Sequence, residues 1–168
     1  MSLPAEWTTE LDESTSEIDY HPGAGVLTVA LDPDATGGPA VCVLSAADGR
    51  HRGTVRTTAT PDTAYEADAD LLFATTDDDH VYAIDPATAD CRWETQASTV
   101  EAVIDDAAIL RAGRVLRAHR LADSGREWQA VLPDDAYAVT PHGDALVVKV
   151  GEYGDMSFCP ECGTDLSG

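Results

Sequence analysis

Residues 71–94 read LLFATTDDDHVYAIDPATADCRWE, and this stretch decides the fold. Two short apolar runs, Leu71–Thr75 and His80–Ile84, are separated by an acidic turn. A second turn, residues 85–90, leads into a run that carries Trp93. Short runs of apolar and β-branched residues bounded by turn residues are typical of strands joined in hairpins. The stretch therefore predicts three consecutive antiparallel strands.

Weaker copies of this unit lie on both sides of it, so the prediction for the whole chain is all-β. Two segments interrupt the strand pattern and are interpreted as connections, the polar residues 12–19 and the Asp-, Pro- and Ala-rich residues 60–69. The other predicted strands are Val26–Leu31, Ala40–Leu44, Arg50–Thr58, Val100–Ile104, Ala107–Arg111, Arg114–Leu121, Arg126–Leu132, Tyr137–Thr140 and Ala145–Val150.

The copies can be aligned on their turns, with Gly49, Ala89 and Gly125 as anchors. The spacings are 89 − 49 = 40 and 125 − 89 = 36 residues. A period near 40 built of short strands indicates a β-propeller, in which each repeat is one four-stranded blade. We expect about four blades in the chain.

The pattern Ala83-x-Asp85-x-x-Thr88-Ala89-x-x-x-Trp93 resembles the tryptophan-docking motif AxDxxTGxxxW of pyrroloquinoline-quinone-like propeller repeats. It departs from that motif at Ala89, where the family usually has glycine. A poorer copy ends at Trp128 and is one residue short when Gly125 is the anchor, and the copy around Gly49 has no tryptophan. The resemblance implies that Trp93 and Trp128 dock one blade against the next.

The first tryptophan, Trp7, sits in a β-prone run like those of Trp93 and Trp128. The unit that begins at Tyr137 has inner strands but no strand with a tryptophan after them. The sequence therefore predicts that the N-terminal strand completes the last blade, which would protect two sheet edges. The alternative is that two chains exchange this strand and form one eight-bladed ring as a homodimer.

Charge is the strongest signal in the composition. There are 31 Asp and Glu residues against 10 Lys and Arg, a formal charge of −21, and Lys149 is the only lysine. Such an excess destabilises a compact fold unless salt screens it, and at 1 M salt the screening length is about 3 Å. The composition resembles that of haloarchaeal-type acidic proteins, which come from organisms that keep molar salt in the cytoplasm.

The same composition bears on partners and location. Phosphate contacts require clusters of Lys and Arg, so nucleic acid is not an expected partner. No apolar run approaches the roughly 20 residues of a membrane span, and the acidic N-terminus does not resemble a signal peptide. We expect a cytoplasmic protein. The series Arg111, Arg114, Arg117 and Arg120 has helical spacing, but on strands it is expected to pair with acidic residues of the chain.

The C-terminus contains the sequence Phe158-Cys-Pro-Glu-Cys-Gly163, which has the form of a zinc knuckle and resembles half of a zinc ribbon. Thiolates at Cys159 and Cys162 can both face one tetrahedral ion. Three outcomes are open: a mixed site that recruits Cys91, Cys42 or His51, one ion shared by two chains, or no metal. The predicted domains are accordingly a propeller over residues 1–155 and a zinc-knuckle-like tail over residues 156–168.

The resemblance also raises the question of catalysis. Quinone-dependent dehydrogenases of this superfamily use adjacent cysteines, a catalytic Asp, and carboxylate or amide ligands for calcium. This chain has no adjacent cysteines and no asparagine, and neither a Ser, His and Asp constellation nor a phosphate-binding loop is evident. We expect neither a quinone cofactor nor catalytic residues.

The function that the sequence favours is a non-catalytic propeller scaffold that presents loops to another protein. Blade packing fixes such a scaffold while its loops vary. Two alternatives stay open: a quinone- or metal-dependent enzyme, and a regulator that captures a partner through its zinc tail.

Overall fold

The computed structural model describes residues 7–11, 15–32, 38–104, 106–122, 125–134, 136–142, 145–151 and 154–166. Fifteen strands account for most of these residues: β1 Thr15–His21, β2 Val26–Leu31, β3 Ala40–Ser45, β4 His51–Arg56, β5 Pro61–Glu66, β6 Leu71–Thr76, β7 His80–Ile84, β8 Cys91–Gln96, β9 Thr99–Ile104, β10 Ala107–Ala112, β11 Val115–Arg120, β12 Arg126–Val131, β13 Ala136–His142, β14 Ala145–Val150 and β15 Gly154–Phe158. Within the described part of the chain, no helix is long and apolar enough to cross a membrane.

The strands form four sheets in which sequence neighbours are hydrogen-bonded neighbours. Blade 1 is β1-β2-β3-β4, blade 2 is β5-β6-β7-β8 and blade 3 is β9-β10-β11-β12. Blade 4 has three strands in the described residues, β13-β14-β15. The paired strands whose registers are resolved are antiparallel, for example Val29 opposite Cys42 between β2 and β3.

Many buried side chains come from strands that are paired on both edges, such as β2, β3, β6, β7 and β10. In β6 and β7, Leu71, Leu72, Val81 and Ile84 are fully buried. These strands are therefore continuous apolar runs in the sequence, and for this reason residues 71–84 predict them clearly.

The chain divides into two compact units, residues 1–78 with 82–92 and residues 79–81 with 93–168. The first unit contains a cluster in which Val26, Val41 and Val43 of blade 1 pack with Leu72 and Ile84 of blade 2. The second unit contains a cluster formed by blades 3 and 4, with Ile109, Leu116, Leu132, Leu146 and Phe158 among its members. Each unit thus has its own apolar core.

Two strands lie where the sequence predicted connections. These are β1, with the sequence TSEIDYH, and β5, with the sequence PDTAYE. Each is the first strand of its sheet and pairs with a single neighbour, β2 or β6. A strand at a sheet edge does not need an apolar face, so polar side chains do not exclude it. The hydrophobic pattern missed both strands for this reason.

The predicted boundary between a propeller ending at residue 155 and a tail starting at residue 156 falls inside β15. Met156 lies opposite Val148, and Phe158 lies opposite Leu146, in the pairing of β15 with β14. Phe158 is buried, and the chain continues to an isolated bridge between Phe158 and Asp165. Residues 156–158 therefore belong to blade 4.

The closing strand predicted at the N-terminus is not seen in the described residues. Residues 7–11 are assigned to no strand, and residues 1–6 lie outside the described part of the chain. Ring closure by this segment, within one chain or between two, stays a prediction.

Candidate functional site

The third strand of each blade is followed by a six-residue turn, here called the docking turn. The docking turns are residues 45–50, 85–90, 120–125 and 159–164. In each turn the N–H of the first residue donates to the carbonyl oxygen of the sixth at 2.8 Å: Ser45 to Arg50, Asp85 to Asp90, Arg120 to Gly125 and Cys159 to Thr164. The four turns are therefore equivalent, and the cysteine-containing turn is the fourth of them.

The fifth residue of the docking turn adopts a left-handed backbone conformation where it is described. The φ angles are 73° for Gly49, 63° for Ala89 and 73° for Gly163. The N–H of each of these residues donates to the carbonyl oxygen of the first residue of its turn, at 2.7–2.8 Å. Glycine adopts this conformation at little cost, which explains its presence at two of the three positions.

Each of the three tryptophans donates its indole N–H to the second carbonyl of a docking turn. The distances are 3.0 Å from Trp7 to Ala46, 2.8 Å from Trp93 to Leu121, and 2.7 Å from Trp128 to Pro160. Trp93 and Trp128 are buried, at 6% and 7% exposed, and Trp7 is partly buried. The structure thus places Trp7, Trp93 and Trp128 in the same relation to three different turns.

Two of these rings also lie directly over a glycine of the turn. A Cβ atom at Gly163 would lie 2.5 Å from Cε3 of Trp128, and one at Gly49 would collide with Cε3 of Trp7. Glycine is therefore required at these positions by the close approach of the ring as well as by its φ angle. Trp93 makes a further stacking contact, with its ring centroid 6.4 Å from that of His119.

The remaining docking turn, residues 85–90, receives no tryptophan in the described residues. Gly53 of β4 stands in the equivalent place, and a Cβ atom there would lie 2.8 Å from Cβ of Ala89. The neighbouring Arg52 donates from Nη1 to the carbonyl oxygen of Pro86 at 2.8 Å, which replaces the indole hydrogen bond. The two departures from the repeat motif are alanine at position 89 and glycine at position 53, where other blades have tryptophan. These two residues are in contact with each other.

The alignment of the third turn on Gly125 was wrong by one residue. Because Arg120 donates to Gly125 as Asp85 donates to Asp90, position 124 corresponds to Ala89. Trp128 then follows its anchor by four residues, as Trp93 follows Ala89. Position 124 itself lies outside the described residues. Glycine commonly fills left-handed positions, but Gly125 occupies the last position of this turn.

The predicted metal ligands Cys159 and Cys162 are the first and fourth residues of the fourth docking turn. Sγ of Cys162 lies 3.1 Å from Oγ1 of Thr164. Hydrogen bonds from the Thr164 side chain and then from the Cys159 thiol lower the pKa of the exposed Cys162. Two adjacent thiols, one of which is more easily ionised, fit half of a tetrahedral zinc site.

The three further candidate ligands lie elsewhere. Cys42 is 2% exposed in β3, among Val29, Leu44 and other apolar side chains of blade 1. Cys91 is exposed at the start of β8. Nε2 of His51 lies 2.9 Å from Oγ1 of Thr54. Among the described residues, no three His, Cys, Asp or Glu side chains are grouped to hold a metal ion. The described residues thus show no assembled mixed site, and metal binding stays a prediction.

The arginine series belongs to β10, β11 and the turn between them, so it forms no helical stripe. Arg111 is paired with Glu101 at 2.7 Å. Nη1 of Arg114 donates to the carbonyl oxygen of Pro133, and Nη1 of Arg117 donates to that of Gln96. These cations are engaged within the chain, mainly by backbone oxygens rather than by the expected aspartates.

A buried polar group that sequence reasoning missed lies in blade 1. His21, at the end of β1, is 8% exposed. Its Nε2 lies 3.0 Å from Oγ1 of Thr28 and 3.3 Å from Oγ1 of Thr63. Burial lowers the pKa of His21, and the nearby Asp19 partly offsets this effect. Because β1 was not predicted from the sequence, the burial of His21 was not predicted either.

No protein-family model and no curated protein matches the sequence. Solved structures do match, at identities that include 6–13%. They include BamB from Moraxella catarrhalis (10% identity, TM-score 0.54), the computationally designed Ika8 protein (8%, 0.65) and the C-terminal WD40 domain of Sif2 (6%, 0.64). The matches cover 95%, 90% and 90% of this chain, and 63%, 48% and 45% of those chains, respectively.

These likenesses show the fold, which is that of a β-propeller, and thereby confirm the predicted fold class. The chain spans about half the length of two of these structures and less than two thirds of the third.

Proposed function

We propose that the protein is a non-catalytic scaffold that binds another protein. Proteins of the propeller class commonly mediate protein–protein interaction, and the chain also resembles part of a mitotic checkpoint complex structure at 13% identity and a TM-score of 0.60. The turn contacts described above support this proposal, because they give the blades a fixed frame that does not depend on a ligand. We further propose that the repeats are of the quinone-type family without its cofactor.

The observation that carries the proposal is an exposed apolar pair on β1. Ile18 and Tyr20 are two residues apart, so they lie on the same face of the strand, and they are 63% and 62% exposed. Apolar side chains of this size at an exposed edge strand are typical of interaction sites, and aromatic residues are enriched in such sites. The net charge of the chain is strongly negative, which favours a partner with a basic rim.

The test is affinity capture from a lysate in molar KCl, with the full chain as bait. We expect Ile18→Ser with Tyr20→Ser to abolish capture of a specific protein and to leave the melting temperature unchanged. Val131→Ser is the matched control, since Val131 is 67% exposed on another strand. Equal capture by all three baits would exclude this surface, and a cofactor that copurifies and absorbs light would favour an enzyme instead.

We also propose that Cys159 and Cys162 bind zinc and that the remaining ligands are the same two cysteines of a second chain. Both thiols lie in one turn, and structural zinc sites require four ligands. Elemental analysis of the reduced protein is expected to show one ion per two chains, together with a dimer in solution. Loss of the ion in Cys159→Ser, but not in Cys91→Ser, would assign it to this turn, and a monomer without zinc would refute the proposal.

The proposed setting is a cytoplasm that contains molar salt. The support for it is the formal charge of −21, which the fold can carry only when it is screened.

A further inference from the structure

Side chains at the first or fourth position of the docking turn stabilise the turn in blades 1 and 2. In blade 2, Oδ1 of Asp85 accepts a hydrogen bond from the N–H of Ala87 at 2.9 Å. Oγ1 of Thr88 accepts one from the N–H of Asp90 at 3.3 Å. In blade 1, Oδ1 of Asp48 accepts one from the N–H of Arg50 at 3.0 Å. Side chains at these positions thus act as caps for the backbone of the turn.

In blade 4 both of these positions are cysteines. Cys162 accepts hydrogen bonds from the side chain and the backbone N–H of Thr164, as Thr88 accepts one from the N–H of Asp90. A thiol is a weak hydrogen-bond acceptor, so this cap is weaker than those that Asp and Thr provide. The fourth turn nevertheless carries the shortest of the indole contacts, 2.7 Å from Nε1 of Trp128 to the carbonyl oxygen of Pro160. Pro160 lies directly between the two thiol-bearing positions in this turn. A group that binds both thiols therefore restricts the backbone around Pro160, whose carbonyl oxygen accepts the indole hydrogen bond of Trp128.

The backbone of the turn orients the two thiols suitably. The N–H of Gly163 donates to the carbonyl oxygen of Cys159 at 2.7 Å, which is the hydrogen bond of one helical turn. Residues three apart in such a turn lie on the same side, with Cβ atoms about 5–6 Å apart. Two thiolates in this arrangement can both reach one zinc ion at about 2.3 Å.

We propose that a soft divalent cation held by Cys159 and Cys162 reinforces the weak thiol cap and thereby strengthens the contact between Trp128 and the fourth docking turn. The inference rests on the proposed zinc site and adds a function to it: the ion locks the last two blades together. Because coupling between two events is reciprocal, loss of the Trp128 contact must weaken cation binding by the same factor by which the cation strengthens the contact.

The experiment is a ZnCl2 titration of the reduced full chain in molar KCl. Zinc is expected to raise the melting temperature by roughly 5–10 °C at saturating concentration. The rise should persist in Cys91→Ser, the matched cysteine control, and disappear in Cys159→Ser with Cys162→Ser. Trp128→Phe, which removes the indole donor, should weaken zinc affinity about tenfold, within the usual range of such couplings. Trp7→Phe, which alters the equivalent contact in blade 1, should leave zinc affinity unchanged.

A second measurement covers the case in which Trp128→Phe does not fold. In the variant Trp7→Phe with Trp93→Phe, Trp128 is the sole tryptophan, and zinc should change its fluorescence emission. Zinc binding without this change, or with wild-type affinity in Trp128→Phe, would overturn the inference and leave the metal site standing. Absence of zinc binding by the reduced protein would overturn both.

Discussion

Gly53 and Ala89 form a matched pair in the first unit, and their sizes are complementary. Where the turn has glycine, at Gly49 and Gly163, a tryptophan ring lies over it. Where the turn has Ala89, the opposing residue is Gly53, and the two backbone segments lie so close that a Cβ atom at Gly53 would meet Cβ of Ala89 at 2.8 Å. Arg52 then supplies the hydrogen bond that an indole would otherwise make. Alanine in place of glycine at position 89 is thus matched by glycine in place of tryptophan at position 53.

Gly53→Ala is therefore expected to destabilise the protein by about 1–3 kcal/mol through overpacking against Ala89. The double variant with Ala89→Gly should recover most of this loss, because the colliding methyl group is gone. Urea unfolding of the wild type, both single variants and the double variant gives the coupling energy between the two positions. Purely additive effects would show that the two residues do not share one contact.

His21 makes the stability of the first unit depend on pH. Burial lowers the pKa of the folded imidazole below its ordinary value of 6.5, so the unfolded chain binds the proton more readily than the folded chain. The contribution of His21 to the free energy of unfolding should therefore be at its maximum above pH 6.5. It should decrease as the pH drops from 6.5 towards the folded pKa. One group limits the slope to about 1.4 kcal/mol per pH unit.

Urea midpoints measured between pH 7.5 and pH 5 check this prediction. His21→Gln retains a polar side chain that cannot titrate, so its midpoints should fall less steeply over this interval. The same slope in both proteins would assign the pH dependence to other groups.

The docking turn is the element that repeats most faithfully, although its sequence varies from DPATAD to CPECGT. What the turns share is a hydrogen-bond pattern and an exposed second carbonyl, and many sequences can provide both. In blade 2 the turn is further stabilised by Asp85, which pairs with Arg92 at 2.9 Å. Hydrogen bonds from the N–H of Ala87 and then from Arg92 lower the pKa of Asp85.

Asp85→Ala is expected to cost about 1 kcal/mol, the usual contribution of a side chain that caps a turn or helix end. Asp90→Ala is a suitable control, because Asp90 takes part in the turn through its backbone groups. A difference between the two variants in thermal unfolding would establish the cap, and equal values would contradict it.

The sequence predicted the middle strands, the repeat and the tryptophan motif because these depend on local apolar pattern and spacing. It did not predict β1 and β5, because their place in a sheet comes from pairing with β2 and β6 and not from their own side chains. The sequence did not predict that residues 159–164 form a docking turn, for a different reason. The two cysteines suggested a separate zinc tail, whereas the equivalence with residues 45–50 and 85–90 lies in backbone hydrogen bonds.

Across the whole molecule, a formal charge of −21 on 168 residues opposes folding at low ionic strength. Raising KCl from 0.1 M to 1 M shortens the screening length from about 10 Å to about 3 Å. The free energy of unfolding should therefore rise substantially over this interval. Urea midpoints that do not change with KCl would contradict the proposed high-salt setting, and an uncharged osmolyte is the control for effects other than screening.

The fourth docking turn accepts a tryptophan indole N–H as the first and third turns do. Urea unfolding of Trp7→Phe, Trp93→Phe and Trp128→Phe in molar KCl tests this equivalence most directly. Each substitution removes one indole donor and leaves a carbonyl oxygen without it, so each should cost about 1–2 kcal/mol. A comparable loss in all three variants is the predicted result. An unchanged free energy of unfolding in Trp128→Phe would show that the turn of Cys159 and Cys162 does not lock a blade.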